Sequence, residues 1–290
     1  MLIGKRILFA ILGISSFFVF AQGLEAATVR INPTKIRLII PPGSTKTGTI
    51  EVENPSEDSI IVKSYLEDWA YTPLHDGTKN FFPAATTALS ASHWITASLN
   101  EFVVPTFGKQ TIHYTIRVPE NASGGHYAAL FFESLLSEPE IKDATQLGVV
   151  VRIAALFYIE AEGTIQRTAE ISNLTLERSS SSEPLKMNAD LKNSGNVDIT
   201  AAGTFHIMDN QGMIFSRGEL GNVYLFPGES AKLTSSWKDP LSRGKYNLVM
   251  TIDIGKALEE AKLGRGPVII KEAELEIGGR GEVIRVGALR

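Results

Sequence analysis

Cysteine is absent from all 290 residues, which excludes disulfide staples, thiol nucleophiles and cysteine-ligated zinc. Stability must come from packing. Histidine is scarce: His75, His93, His113, His126 and His206 are dispersed, none at His-x-x-x-His spacing, so no metal-ligand set is legible. Missing too are a Gly-x-Ser-x-Gly elbow, a phosphate loop and a dinucleotide fingerprint. No cofactor and no reaction are expected. Basic excess is lacking, with 28 Lys and Arg against 32 Asp and Glu and a net charge of −4, so the chain has no electrostatic footprint for nucleic acid.

What is present begins with a leader. "MLIGKRILFAILGISSFFVFAQGLEA" has a basic start at Lys5 and Arg6, an apolar stretch and small residues near Ala26, the layout of a secretory signal peptide cleaved after Ala26. A retained anchor helix is the alternative. The remaining length of about 264 residues suits two domains. Short strands separated by turn signals recur along both halves: Thr47 to Val52, Ile60 to Tyr71, two strands around Gly108, and His126 to Leu136 in the first. This pattern predicts an all-β chain of sandwiches. The chain turns polar between Ala161 and Thr168, which divides it into a leader (1–26), a first domain (27–162), a second (163–278) and an untethered tail (279–290). One short helix is expected from Lys256 to Gly264. Both halves carry an Asn-containing turn early, at Asn54 and Asn193, and a second turn later, at Gly108 and at Pro227-Gly228.

Candidate chemistry is thin. "YLEDWAY" offers Glu67, Asp68 and Trp69, and Trp94 lies nearby in sequence, enough for a carbohydrate-binding or enzymatic alternative. Adjacent strand residues point to opposite faces, so Glu67 and Asp68 should not converge. The sequons at Asn121 and Asn173 matter only in a glycosylating host.

The informative stretch is "LGVVVRIAALFYIEAEG". From Val149 to Ile159 it is apolar on both faces of a strand, too short to span a bilayer as a helix, and interrupted by Arg152. One face meets a core; the other needs a cover. A charge in such a strand is costly unless paired or facing a cleft, so Arg152 is either a structural salt bridge or a residue for a partner or a domain interface.

The order of segments resembles the periplasmic pilus-assembly chaperones, the PapD-like family. "INPTKIRLIIPPGSTKTGTIEVENPSEDSIIVKSYLEDW" is similar to that family's opening strands, "HWITASLNEFVVPTFGKQTIHYTI" to its middle strands, "GGHYAALFFESL" to its sixth and "VVRIAALFYIEA" to its seventh. The resemblance implies two immunoglobulin-like β-sandwich domains in tandem, a periplasmic location, and a client subunit, pilin-like or another surface protein, bound by strand addition. The client would cover the second face of the Val149 to Ile159 strand. It places a first carboxylate anchor at Lys35 and donor positions at Gln146, Gly148 and Val150. Its second anchor, a lysine in the family, falls on Ala155, with Arg152 the nearest cation. A dimer through an edge strand is a further expectation, and a permanent envelope adaptor tethering surface proteins or wall polymer is the alternative to a chaperone.

Overall fold

The computed structural model describes residues 29–135, 150–177, 184–238 and 241–290. The leader with its cleavage site, Gln146 and Gly148 lie outside the described residues. The first sandwich contains β1 (Arg30–Asn32), β2 (Lys35–Ile40), β3 (Thr45–Glu53), β4 (Ile60–Tyr71), β5 (Lys79–Pro83), β6 (Ile95–Ala97), β7 (Glu101–Val104), β8 (Lys109–Arg117), β9 (Gly125–Leu135) and β10 (Val150–Ala161). They form two sheets, β1-β3-β8-β6 and β2-β10-β9-β4-β5, with β7 also on β4. Alternation drives the layering. Ile112, Tyr114 and Ile116 of β8 point inward between exposed or half-exposed neighbours, and meet Val62, Phe132, Phe157 and Ile159 from the facing sheet.

The second sandwich contains β11 (Ala169–Glu177), β12 (Leu185–Asn193), β13 (Ile199–Met208), β14 (Ile214–Leu225), β15 (Ser230–Trp237), β16 (Gly244–Asp253), β17 (Val268–Ile277) and β18 (Val283–Val286). Its sheets are β11-β12-β15 and β14-β13-β16-β17-β18, closed on a core of Met187, Leu191 and Leu233 against Phe205, Leu248, Met250 and Leu275. The fold is all-β, with two immunoglobulin-like sandwiches in tandem. The helix α1 (Lys256–Glu260) is shorter than its sequence pattern promised.

The two asparagine turns do equivalent work. Asn54 is buried, donates Nδ2 to the carbonyls of Asp58 and Pro105 at 2.7 and 3.0 Å, and its backbone N–H reaches the Gly108 carbonyl. Asn193 donates Nδ2 to the carbonyls of Val197 and Leu225 at 2.8 and 3.2 Å, and its N–H reaches Glu229 next to Pro227-Gly228. In each sandwich one amide thus ties the early turn to the later one. Residues 279–290 are not untethered: β18 pairs with β17, and Arg290 and Glu272 exchange backbone hydrogen bonds. Val283, Val286 and Leu289 lean on the second core, and that burial holds the segment in place.

Candidate functional site

The strand β10 has two different flanks. Along one it pairs antiparallel with β9 from Val150 to Glu160. Along the other it pairs in parallel with β2, but only from Leu156, opposite Lys35, to Ala161, opposite Ile40. From Val150 to Ala155 that second flank has no strand beside it among the described residues. The Leu156 N–H donates to the Thr34 carbonyl on the β2 side at 2.9 Å, and successive amides alternate sides. Arg152 and Ala154 therefore direct their backbone groups to the open flank. This is an unpaired edge collinear with β2.

The two faces of β10 are also accounted for. Ala155, Phe157 and Ile159 enter the first core, while Tyr158 and Glu160 face the second sandwich. A client does not cover that second face from Leu156 onward, contrary to the expectation drawn from sequence. There Tyr158, Tyr127, Trp69 and Tyr71 pack around Phe226, with the Tyr127 and Phe226 rings stacked at 4.3 Å. The physical reason is a buried ionic cluster that clamps the sandwiches together. Arg37 donates Nη1 and Nη2 to Asp198 at 2.8 and 2.6 Å and Nη1 to Glu160; Arg167 donates to the Glu160 carboxylate and to the Asp198 carbonyl. Tyr127 accepts from the Asp198 N–H at 2.7 Å. Burial alone would raise the Asp198 pKa, but the charge and hydrogen bonds of Arg37, with Arg167 beyond, hold it below the usual carboxylate range. The Arg37 pKa moves the opposite way and is raised: burial opposes its charge, and Asp198 and Glu160 outweigh that cost.

Lys35 opens β2 at the point where the free flank ends. Its Nζ lies 5.3 Å from the Tyr158 ring centroid and 3.5 Å from Glu260 Oε2 of α1, so it bridges the cleft between the sandwiches. Lys79, at the start of β5, was missed in the sequence. Its Nζ sits 5.6 Å from the centroids of both Trp69 and Tyr71 and donates to the Gly77 carbonyl at 2.6 Å. Burial and then the nearby charge of Lys35 lower its pKa, against Asp76. Two cations thus share an aromatic floor. Only the turn chemistry of "HDGTKN" could have pointed to Lys79, because nothing local says that this hairpin folds toward Tyr158.

Ala155 points into the core and is fully buried, so no side chain at that position reaches the cleft. Val150 is half exposed at the first pair of the β9–β10 ladder. Arg152 donates Nη2 to Glu67 Oε2 at 2.7 Å and lies 3.8 Å above the Phe131 ring, so it has a partner within its own sheet. Glu67 and Asp68 diverge: Asp68 turns inward and accepts from Thr86 N, Thr87 N and Ser90 Oγ. Burial works against the charge of Asp68, but these donors lower its pKa overall. No group of three or more His, Asp and Glu able to hold a metal, and no helix long and apolar enough to cross a membrane, occurs among the described residues.

No protein-family model and no curated protein matches the chain. Solved structures do match it over most of its length. The class 5 fimbriae chaperone CfaA is 14% identical over 84% of this chain and 98% of its own, with a TM-score of 0.49. The SafB chaperone from Salmonella enterica, solved with the SafA pilin, is 13% identical over 84% of this chain and 95% of its own, at 0.41. The CupB2 chaperone from Pseudomonas aeruginosa is 10% identical over 84% and 98%, at 0.37. The fold stands on the sheets and cores described above, not on these likenesses.

Proposed function

We propose that the chain is an exported, periplasmic protein-binding chaperone that caps a pilus or other surface subunit by adding one of the subunit's strands to the open flank of β10. The observation that carries this reading is the unpaired edge from Val150 to Ala155, collinear with β2 and bordered by exposed apolar Val150. A guest strand running parallel to β10, as β2 does, directs its carboxyl end toward Lys35. Lys35 and Lys79 then supply the positive charge for a terminal carboxylate, with Glu260 as the partner that it displaces. The sequence resemblance to pilus chaperones supports the same class of client.

The test is co-expression of the chain with subunits encoded by neighbouring genes, followed by purification through the chaperone. A subunit is expected to co-purify with the wild-type chain. Ala154→Pro removes one outward donor and blocks the open flank without touching the β9 ladder, and it is expected to abolish the pair while the melting temperature stays near wild type. Capture of no subunit by the wild-type chain, or retention at full affinity by a folded Ala154→Pro variant, overturns the reading.

A further inference from the structure

The helix α1 belongs to a closed bracket that reaches from the second sandwich to the mouth of the cleft. Its two ends meet at a pinched neck. The backbones of Gly255 and Gly266 cross so closely that a Cβ on Gly255 would stand 2.0 Å from the Gly266 Cα. The Ile254 N–H donates to the Pro267 carbonyl at 3.1 Å, and the Gly255 N–H to Asp253 Oδ1 at 2.7 Å. Gly255 also bridges to Thr200 of β13, and Ala257 is buried. Within the bracket the Leu263 N–H returns to the Leu258 carbonyl at 2.9 Å, and the Lys262 N–H to the Glu259 carbonyl at 3.0 Å. A loop with joined ends and internal hydrogen bonds holds its side chains in fixed places. One of them is Glu260, whose Oε2 lies 3.5 Å from Lys35 Nζ across the gap between the sandwiches.

This contact is not what joins the sandwiches. The buried cluster of Arg37, Glu160, Arg167 and Asp198 and the rings around Phe226 do that, whereas the Lys35 and Glu260 side chains are 39 and 51% exposed and make one long bond. An exposed pair of this kind adds little to stability. What it changes is the state of Lys35. Among the described residues Glu260 is the one carboxylate paired with that ammonium, and Glu259, with the same charge on the same short helix, is not paired with it.

We propose that Glu260 is a built-in competitor, resting on the strand-addition reading: in the chain without a guest its carboxylate takes the place on Lys35 that the guest's terminal carboxylate takes on docking. A competitor within the chain lowers the apparent affinity by the fraction of molecules in which Lys35 is free. For an exposed ion pair that amounts to about two- to fivefold. The penalty falls on a guest that uses Lys35. A guest with an amidated end leaves Glu260 where it is and escapes the penalty, so Glu260 narrows the margin between acid and amide. Plain repulsion by the acidic residues of α1 would act through Glu259 as well; occupancy acts through Glu260 alone.

The probe is a fluorescent peptide of alternating threonine and valine, long enough to lie along Val150 to Ala155, made as the free acid and as the amide and titrated by anisotropy against the full chain. Glu260→Gln is expected to tighten the acid about two- to fivefold while the amide and the melting temperature stay unchanged. Glu259→Gln should alter neither peptide. In a Lys35→Met background Glu260→Gln should have no effect, which shows that the two side chains act on each other. Gly255→Ala drives a Cβ into the Gly266 backbone and should reproduce the gain with Glu260 intact. Preference for the acid in the wild-type chain with no gain in Glu260→Gln, an equal gain in Glu259→Gln, or a gain that persists without Lys35 overturns the competitor alone. No preference for the acid in the wild-type chain, through equal binding or none, overturns the anchor at Lys35 and the competitor with it, while co-expression with a subunit judges strand addition separately.

Discussion

Asp198 is the residue on which the junction between the sandwiches turns. It receives both terminal nitrogens of Arg37 and carries no exposed side-chain surface, so Asp198→Asn leaves Arg37 and Arg167 facing Glu160 alone. Removing one partner of a buried ion pair costs about 3–5 kcal/mol, and urea unfolding should show a loss of that order. A variant within about 0.5 kcal/mol of wild type would mean that the cluster contributes nothing net. At the cleft mouth, Lys35 and Lys79 should act as a pair. A peptide with a free carboxyl terminus, drawn from the captured subunit, should bind the wild-type chain roughly tenfold tighter than its amide, and Lys35→Met with Lys79→Met should erase that difference. Equal binding of acid and amide by the wild-type chain would count against the anchor. Arg37, like Arg152, is a charge within an apolar strand, and its need for a partner is legible in the sequence in the same way. Local pattern shows that such a charge needs a partner. It does not show that one arginine finds it 161 positions away and the other within its own sheet.

At the scale of elements, the β4–β5 hairpin deserves the closest test. Its tip leaves the first sandwich and docks on the second: the Tyr224 N–H donates to the His75 carbonyl at 2.9 Å, and the Tyr71 and Tyr224 rings lie 5.6 Å apart. Gly77 has φ +95°, and a Cβ there would stand 2.9 Å from the Tyr224 ring. Gly77→Val is therefore doubly unfavourable, through backbone strain and through collision. The hairpin should detach while both cores persist, and limited proteolysis should cleave the variant between Tyr71 and Lys79 faster than wild type at an unchanged urea midpoint for the cores. Equal cleavage rates would show that the tip is not a strap. Strand patterning recovered β4 at its observed bounds, Ile60–Tyr71, and β10 to within two residues, because both alternate or run apolar over a dozen positions. It missed β5, whose exposed or half-exposed "KNFFP" lacks any buried face of its own.

Over the whole molecule, the two sandwiches are joined through one buried ionic cluster centred on Asp198. The ordinary carboxylate value for Asp198 is 3.8, and its folded value is lower. Its contribution is therefore complete above pH 3.8 and is lost as pH falls through the folded value. The groups facing it are Arg37, Arg167, Glu160 and Tyr127. Trp69 lies in the same interface and is almost fully buried, so its emission should stay blue from neutral pH down to about 4 and shift red below that as the junction opens. In Asp198→Asn the shift should already be present at pH 7. A wild-type transition near pH 6, or none by pH 2, would place the control elsewhere.

Composition and a period of two within a dozen residues were enough to give the absence of disulfides, the strand-rich class, the positions of the long strands and the asparagine turns. Which face of β10 the second sandwich covers, which half of its edge stays open, and the approach of Lys79 to Lys35 emerge from the three-dimensional packing. Periodicity says which side chains share a face. What lies against that face is set by contacts between residues a hundred or more positions apart, and no local pattern encodes them.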